Sequence, residues 1–127
     1  MKKKVLIIDS SKAIRFLLET VLGADYEVIT ATDGCSAMYL LSKRILPDLI
    51  ITDPQLPDLE NWELIEQLSE SILFRHIPVI VLSSLNQEET SRKCEDFGVV
   101  KHYNKPFNPL VLLESLNKIS NKRLIIN

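Results

Sequence analysis

Four apolar runs in this chain each end on a polar group that burial alone does not explain. Val5-Leu6-Ile7-Ile8 runs into Asp9, Leu49-Ile50-Ile51-Thr52 into Asp53, and Val79-Ile80-Val81-Leu82 into Ser83. Val99 and Val100 lead through His102, Tyr103 and Asn104 to Lys105-Pro106. Runs that are apolar throughout, and not at alternate positions, fit strands buried on both faces, as in parallel sheets. Parallel strands need crossovers, and right-handed crossovers bring every strand's C-terminal end to one edge. On that reading two carboxylates, a hydroxyl and an ammonium converge at that edge. Such a set can hold a divalent cation and a phosphoryl group, with one carboxylate as nucleophile.

The segments between the runs carry helical signals. Ser10 or Ser11 can cap a helix whose apolar face is Ile14, Leu17, Leu18, Val21 and Leu22, with Gly23 as its stop. Glu27 to Ala31 reads as a second strand. Asp33 caps a helix bearing Ala37, Leu40 and Leu41, and Pro47 closes the connection to a strand from Asp48 to Asp53. A loop from Pro54 to Asn61 leads into a helix bearing Leu64, Ile65, Leu68 and Ile72. Pro78 opens the fourth strand. Asn86 with Glu89 reads as a capping box, and the short helix behind it ends at Gly98. Val99 to Asn104 is the fifth strand. Asn108-Pro109 then starts a helix bearing Leu112, Leu113, Leu116 and Ile119. The expected class is therefore α/β, a five-stranded parallel sheet with five helices on its two faces. The expected domain covers residues 1–121. Residues 122–127 form a tail, read either as a fraying helix extension or as an exposed Leu124-Ile125-Ile126 contact.

At 127 residues the chain is expected to be one domain. Its net charge of −2 gives no reason to expect nucleic-acid or membrane binding. Lys2-Lys3-Lys4 precedes an apolar run too short for a signal peptide or membrane span, so cytoplasmic residence is expected. Cys35 and Cys94 show no metal-ligand spacing and read as free, partly buried thiols.

Asp53 is the candidate nucleophile, since a strand-end carboxylate before an irregular loop can meet a phosphate donor. Asp9 suits either a helix cap or a hard oxygen ligand for Mg²⁺, and we favour the metal because a cation relieves repulsion between two carboxylates. An ammonium at the end of a buried strand is costly without negative charge nearby, which makes Lys105 the expected counter-ion. Pro106 permits a cis peptide that would aim Lys105 into the site. Ser83 could hydrogen-bond a phosphoryl oxygen, and the small Ser84 leaves room for its backbone N–H.

In order and spacing, these residues resemble the receiver (response-regulator, CheY-like) family of two-component signalling. The resemblance spans about the whole chain. It rests on the apolar run before Asp9, on Asp53 with Pro57 four residues on, on Ser83-Ser84, and on Lys105-Pro106-Phe107. It implies a flavodoxin-like doubly wound (βα)5 fold and a phosphoryl group passed from a histidine kinase or phosphotransfer protein onto Asp53 with Mg²⁺. The metal would be held by Asp9, Asp53 and the backbone carbonyl of Gln55. Ser83 matches the family's switch hydroxyl and Lys105 its lysine. Output is expected to be contact with another protein, through the face of the fourth helix, fifth strand and fifth helix, with no DNA-binding or catalytic domain expected.

The chain departs from the family pattern at several positions. Ser10 stands where a second acid usually contacts Mg²⁺, which predicts weaker metal affinity and supports an alternative: a degenerate receiver that binds proteins without phosphate. His102 stands where a rotating aromatic is usual, and reads as a half-exposed strand histidine or, alternatively, a pH-sensitive switch. Tyr103 points to the opposite face. Asn61 replaces the usual glycine and tolerates positive φ. Pro54 removes a donor that the Gln55 N–H would replace. Gln55, two residues after the nucleophile, lacks the carboxyl that an aspartyl-phosphate phosphatase uses as general acid, so an enzyme is not expected. Three glycines and no glycine-rich loop disfavour a nucleotide or flavin site.

Overall fold

A computed structural model describes residues 2–126, with side chains through residue 121. Strands and helices alternate: β1 Lys3–Ile8, α1 Lys12–Leu22, β2 Tyr26–Ala31, α2 Gly34–Ser42, β3 Leu49–Thr52, α3 Glu63–Glu70, β4 Val79–Ser83, α4 Gln87–Asp96, β5 Lys101–Asn104 and α5 Pro109–Ile126. The strands form one parallel sheet in the order β2-β1-β3-β4-β5. This is the doubly wound flavodoxin-like fold, whose ligands sit beyond the strand C-termini where the strand order reverses.

Side-chain alternation divides the core into two layers. Val5, Ile7, Leu49, Ile51, Ile80 and Leu82 pack against Leu18 and Leu22 of α1 and Leu112 and Leu116 of α5. Leu6, Ile8 and Ile50 face Ala37 and Leu41 of α2 and Leu64 and Leu68 of α3. Val81 joins Trp62, Ile65 and Cys94 beneath α4. Each fully buried Leu or Ile contributes roughly 1.5–3 kcal/mol. Among the described residues no helix is long and apolar enough to cross a membrane.

Local chemistry sets the helix ends. Ser11, not Ser10, caps α1 by accepting the Ile14 N–H, and Asp33 caps α2 by accepting the Ser36 N–H. Gly23 stops α1 for a reason other than a left-handed turn. Its φ is −64°, and a Cβ there would lie 2.6 Å from the Glu19 carbonyl oxygen. Gly98, at φ +68°, does take the left-handed turn after α4.

Several expected boundaries shift. α3 stops at Glu70, so Ile72 lies beyond it and is 80% exposed. The Ser71 hydroxyl accepts the Leu73 and Phe74 N–H groups and starts a new turn, and Phe74 enters the core in place of Ile72. β3 is shorter at both ends, because Asp48 and Asp53 lie just outside it. β5 starts at Lys101, because the Val99 N–H still bonds the Cys94 carbonyl of α4. The left-handed position at the end of the loop that follows Asp53 falls on Trp62 (φ 71°), not Asn61. The capping box of α4 is half formed. Asn86 accepts from the Glu88 and Glu89 N–H groups, but the Glu89 carboxylate accepts from the Trp62 indole instead of reaching back. Cys94 is buried as a free thiol, whereas Cys35 is exposed and not partly buried. The backbone of α5 runs through residue 126, while the expected Leu124-Ile125-Ile126 contact and Asn127 lie outside the described side chains.

Candidate functional site

Backbone ladders at the sheet's C-terminal edge place the charged groups. The Asp9 N–H bonds the Ala31 carbonyl, the Asp53 N–H bonds that of Ile8, and the Lys105 N–H bonds that of Ser83. Asp9, Asp53 and Lys105 thus extend β1, β3 and β5 by one ordered residue each. The peptide bond between Lys105 and Pro106 is cis, as the sequence allowed.

Lys105 Nζ lies 2.7 Å from Asp9 Oδ2 and 2.6 Å from Asp53 Oδ2. Asp9 is 2% exposed and Asp53 9%, so this is a nearly dry triad of two carboxylates and one ammonium. Its formal charge is −1. Burial by itself lowers the Lys105 pKa. Hydrogen bonds and charge from Asp53 and Asp9 outweigh it, and the net effect is to raise it above 10.5.

The remaining carboxylate oxygens are also held. Asp53 Oδ1 accepts the Gln55 N–H at 2.7 Å, and Asp9 Oδ1 accepts the Ser11 N–H at 2.9 Å. The Gln55 donor expected to serve a phosphoryl group is therefore engaged by the acceptor itself. Arg15 Nη1 donates to the Asp9 carbonyl at 2.8 Å, a contact not anticipated from the sequence. Arg15 sits four residues after the Ser11 cap, one turn into α1, and that spacing was the available signal.

Ser83 is fully buried, and its hydroxyl faces α4: it pairs with Thr90 Oγ1 at 3.0 Å and accepts the Leu85 N–H at 2.9 Å. The Ser83 hydroxyl, expected to serve a phosphoryl oxygen, is thus engaged by Thr90 of α4 and by the Leu85 N–H. Thr90 was also missed. Asn86, Thr90 and Cys94 recur at four-residue spacing, a helical face that marks Thr90 as inward-facing. Ser84 and Ser10 are exposed. His102 is half-buried and in register with Val81, on the α4 side of the sheet. Tyr103 lies on the other side, within the α1 and α5 layer, where its hydroxyl bonds Ser115.

The donor set suits Mg²⁺, a hard cation that is often bound by one or two carboxylates plus waters. Asp9 and Asp53 share one ammonium and so are close enough to share a cation. No group of three or more His, Cys, Asp or Glu side chains placed to hold a metal gathers among the described residues.

A family model for the response regulator receiver domain matches residues 5–117. The chain belongs to the receiver family of two-component signalling. It is 29% identical over 128 residues to the response regulator PleD of Caulobacter vibrioides, a match covering 100% of this chain and 28% of PleD. It is 33% identical over 105 residues to the sensor histidine kinase TmoS of Ectopseudomonas mendocina, covering 83% of this chain and 11% of TmoS. Among solved structures it is similar to the chemotaxis response regulator CheY4 of Vibrio cholerae, with a TM-score of 0.82, 29% identity, and 94% of this chain and 99% of that one covered. This receiver therefore spans only a minor part of those two curated relatives. Receivers are in general signalling modules rather than enzymes.

Proposed function

We propose that this receiver accepts a phosphoryl group on Asp53 from a phosphohistidine of a kinase or phosphotransfer protein. The observation that carries the reading is the single ammonium of Lys105 within hydrogen-bond distance of both Asp9 and Asp53. A carboxylate oxygen of Asp53 attacks phosphorus, the P–N bond breaks, and its electron pair returns to the donor imidazole. Transfer of this kind is mostly positioning and charge stabilisation. Lys105 then neutralises a phosphoryl oxygen, and the Ser83 hydroxyl and the Ser84 N–H are the further donors at the edge. Asp9, Asp53 and the Gln55 carbonyl would hold Mg²⁺, which supplies charge neutralisation to the equatorial oxygens. Output runs through protein contact at the face of α4, β5 and α5, in the cytoplasm, with residues 1–121 as the signalling unit and 122–127 as its tail.

Incubation with a small phosphoramidate donor and Mg²⁺, followed by intact-mass measurement, tests the reading. A gain of one phosphoryl group that disappears in Asp53→Asn is expected. The exposed Ser10 beside Asp9 favours a second reading, a receiver that binds its partner without phosphate. No mass gain at saturating donor would overturn the first reading and support the second.

A further inference from the structure

We infer that Trp62 and Glu89 are positioning residues that hold the Ser83 hydroxyl away from the phosphoacceptor. The inference rests on the phosphoacceptor reading of Asp53 and concerns how that site is regulated. Trp62 is tied at two points. Its backbone N–H bonds the carbonyl of Pro54, the residue next to Asp53, at 2.8 Å. Its indole Nε1–H donates to Glu89 Oε2, also at 2.8 Å. Trp62 is 4% exposed and packs against Ile65 of α3 and Val81 of β4 as well as Cys94 of α4, so the contacts outside α4 hold it in place if α4 moves.

Glu89 directly precedes Thr90, whose hydroxyl pairs with Ser83 Oγ at 3.0 Å. A continuous strut therefore runs from the acceptor loop through the indole to α4 and back to Ser83. The hydroxyl must leave Thr90 to reach a phosphoryl oxygen on Asp53. The Trp62–Glu89 bond favours the conformation in which it does not. Its acceptor is a carboxylate, and hydrogen bonds to charged groups are the stronger kind. A ligand that draws Ser83 inward must work against this strut, so loosening the strut tightens that ligand by linkage.

Beryllofluoride, a phosphoryl mimic that binds carboxylates, is the probe, with Mg²⁺ present and affinity read by calorimetry. Glu89→Ala and Trp62→Phe each remove one end of the bond, at different depths in the fold. Both are expected to bind the probe about five-fold tighter or more, the lower end of ordinary coupling between two sites. Glu89→Gln keeps a carbonyl acceptor, neutral and weaker than the carboxylate, and is expected to return the affinity part of the way to the wild-type value. Thr90→Val, which cuts the strut at its far end, gives a similar gain, and Glu89→Ala adds little to it. A merely structural role would lower thermal stability and leave the affinity ratio untouched. Unchanged or weaker binding in both Glu89→Ala and Trp62→Phe, with normal binding by the wild type, overturns the strut and leaves the acceptor role of Asp53 standing. Failure of the wild type to bind the probe overturns both.

Discussion

On the proposed metal role, Ser10 would leave the site one negative charge short of the family pattern, with Asp9 and Asp53 already paired with Lys105. Ligand charge count is a principal determinant of hard-cation affinity. Ser10→Asp is expected to tighten Mg²⁺ binding on the order of tenfold by isothermal titration. Equal affinities in the two proteins would show that the hydroxyl, or a water it holds, already does the work of the acid. The two thiols make a second contrast between neighbouring chemistries. Cys35 is exposed on α2, whereas Cys94 is buried on the inner face of α4, where burial pushes its thiol up to about 11. The thiolate is the reactive form, so Cys94 is doubly protected. Iodoacetamide at neutral pH is expected to add one adduct to the folded protein and two in urea, as read by intact mass.

α4 is the most polar helix of the fold, and its stability depends on its ends and on a few anchors. Gln87–Asp96 buries only Thr90 and Cys94, and its start is fixed by Asn86 accepting two backbone N–H groups. Loss of such a cap costs about 1 kcal/mol. Asn86→Ala is expected to lower the unfolding free energy by about that amount in urea titration, with faster amide exchange concentrated in α4. Uniformly faster exchange across the protein would mean that α4 does not open as a separate unit. α5 has a similar start, with Asn108 accepting the Leu110 and Val111 N–H groups, but it also meets the core through Leu112 and Leu116, both fully buried.

Lys105, just after β5, joins the ends of β1 and β3 to that of β5 through its two ion pairs. Removing one member of a buried ion pair leaves uncompensated charge, and here two carboxylates would be stranded. Lys105→Met is expected to cost about 3 kcal/mol at neutral pH, by urea unfolding. The pH dependence follows from the direction of the Lys105 shift. Its folded pKa is raised above 10.5, so the stabilisation is complete below 10.5 and is lost as pH rises through the folded value. The gap between wild type and variant therefore closes in that alkaline window. A gap that stays constant there would show that Lys105 stabilises through its aliphatic stem and not its charge.

Hydrophobic periodicity, strand-end polarity and cap chemistry are local properties. That is why the five strands, the five helices, and the meeting of Asp9, Asp53 and Lys105 at one edge were legible from the chain alone. Right-handed crossovers convert that local pattern into a unique edge. Rotamers and loop closures obey no such rule. The Ser83 hydroxyl turned to Thr90, the Gln55 N–H engaged by Asp53, and the left-handed turn at Trp62 in place of Asn61 all depend on packing. The indole bond to Glu89 joins residues 27 apart in sequence. Only folding brings such groups within 3 Å, and no repeat or spacing in the chain announces them. The same reason explains Ile72: a helical period continues past Glu70 in the sequence, but the Ser71 hydroxyl ends it, and Phe74 enters the core.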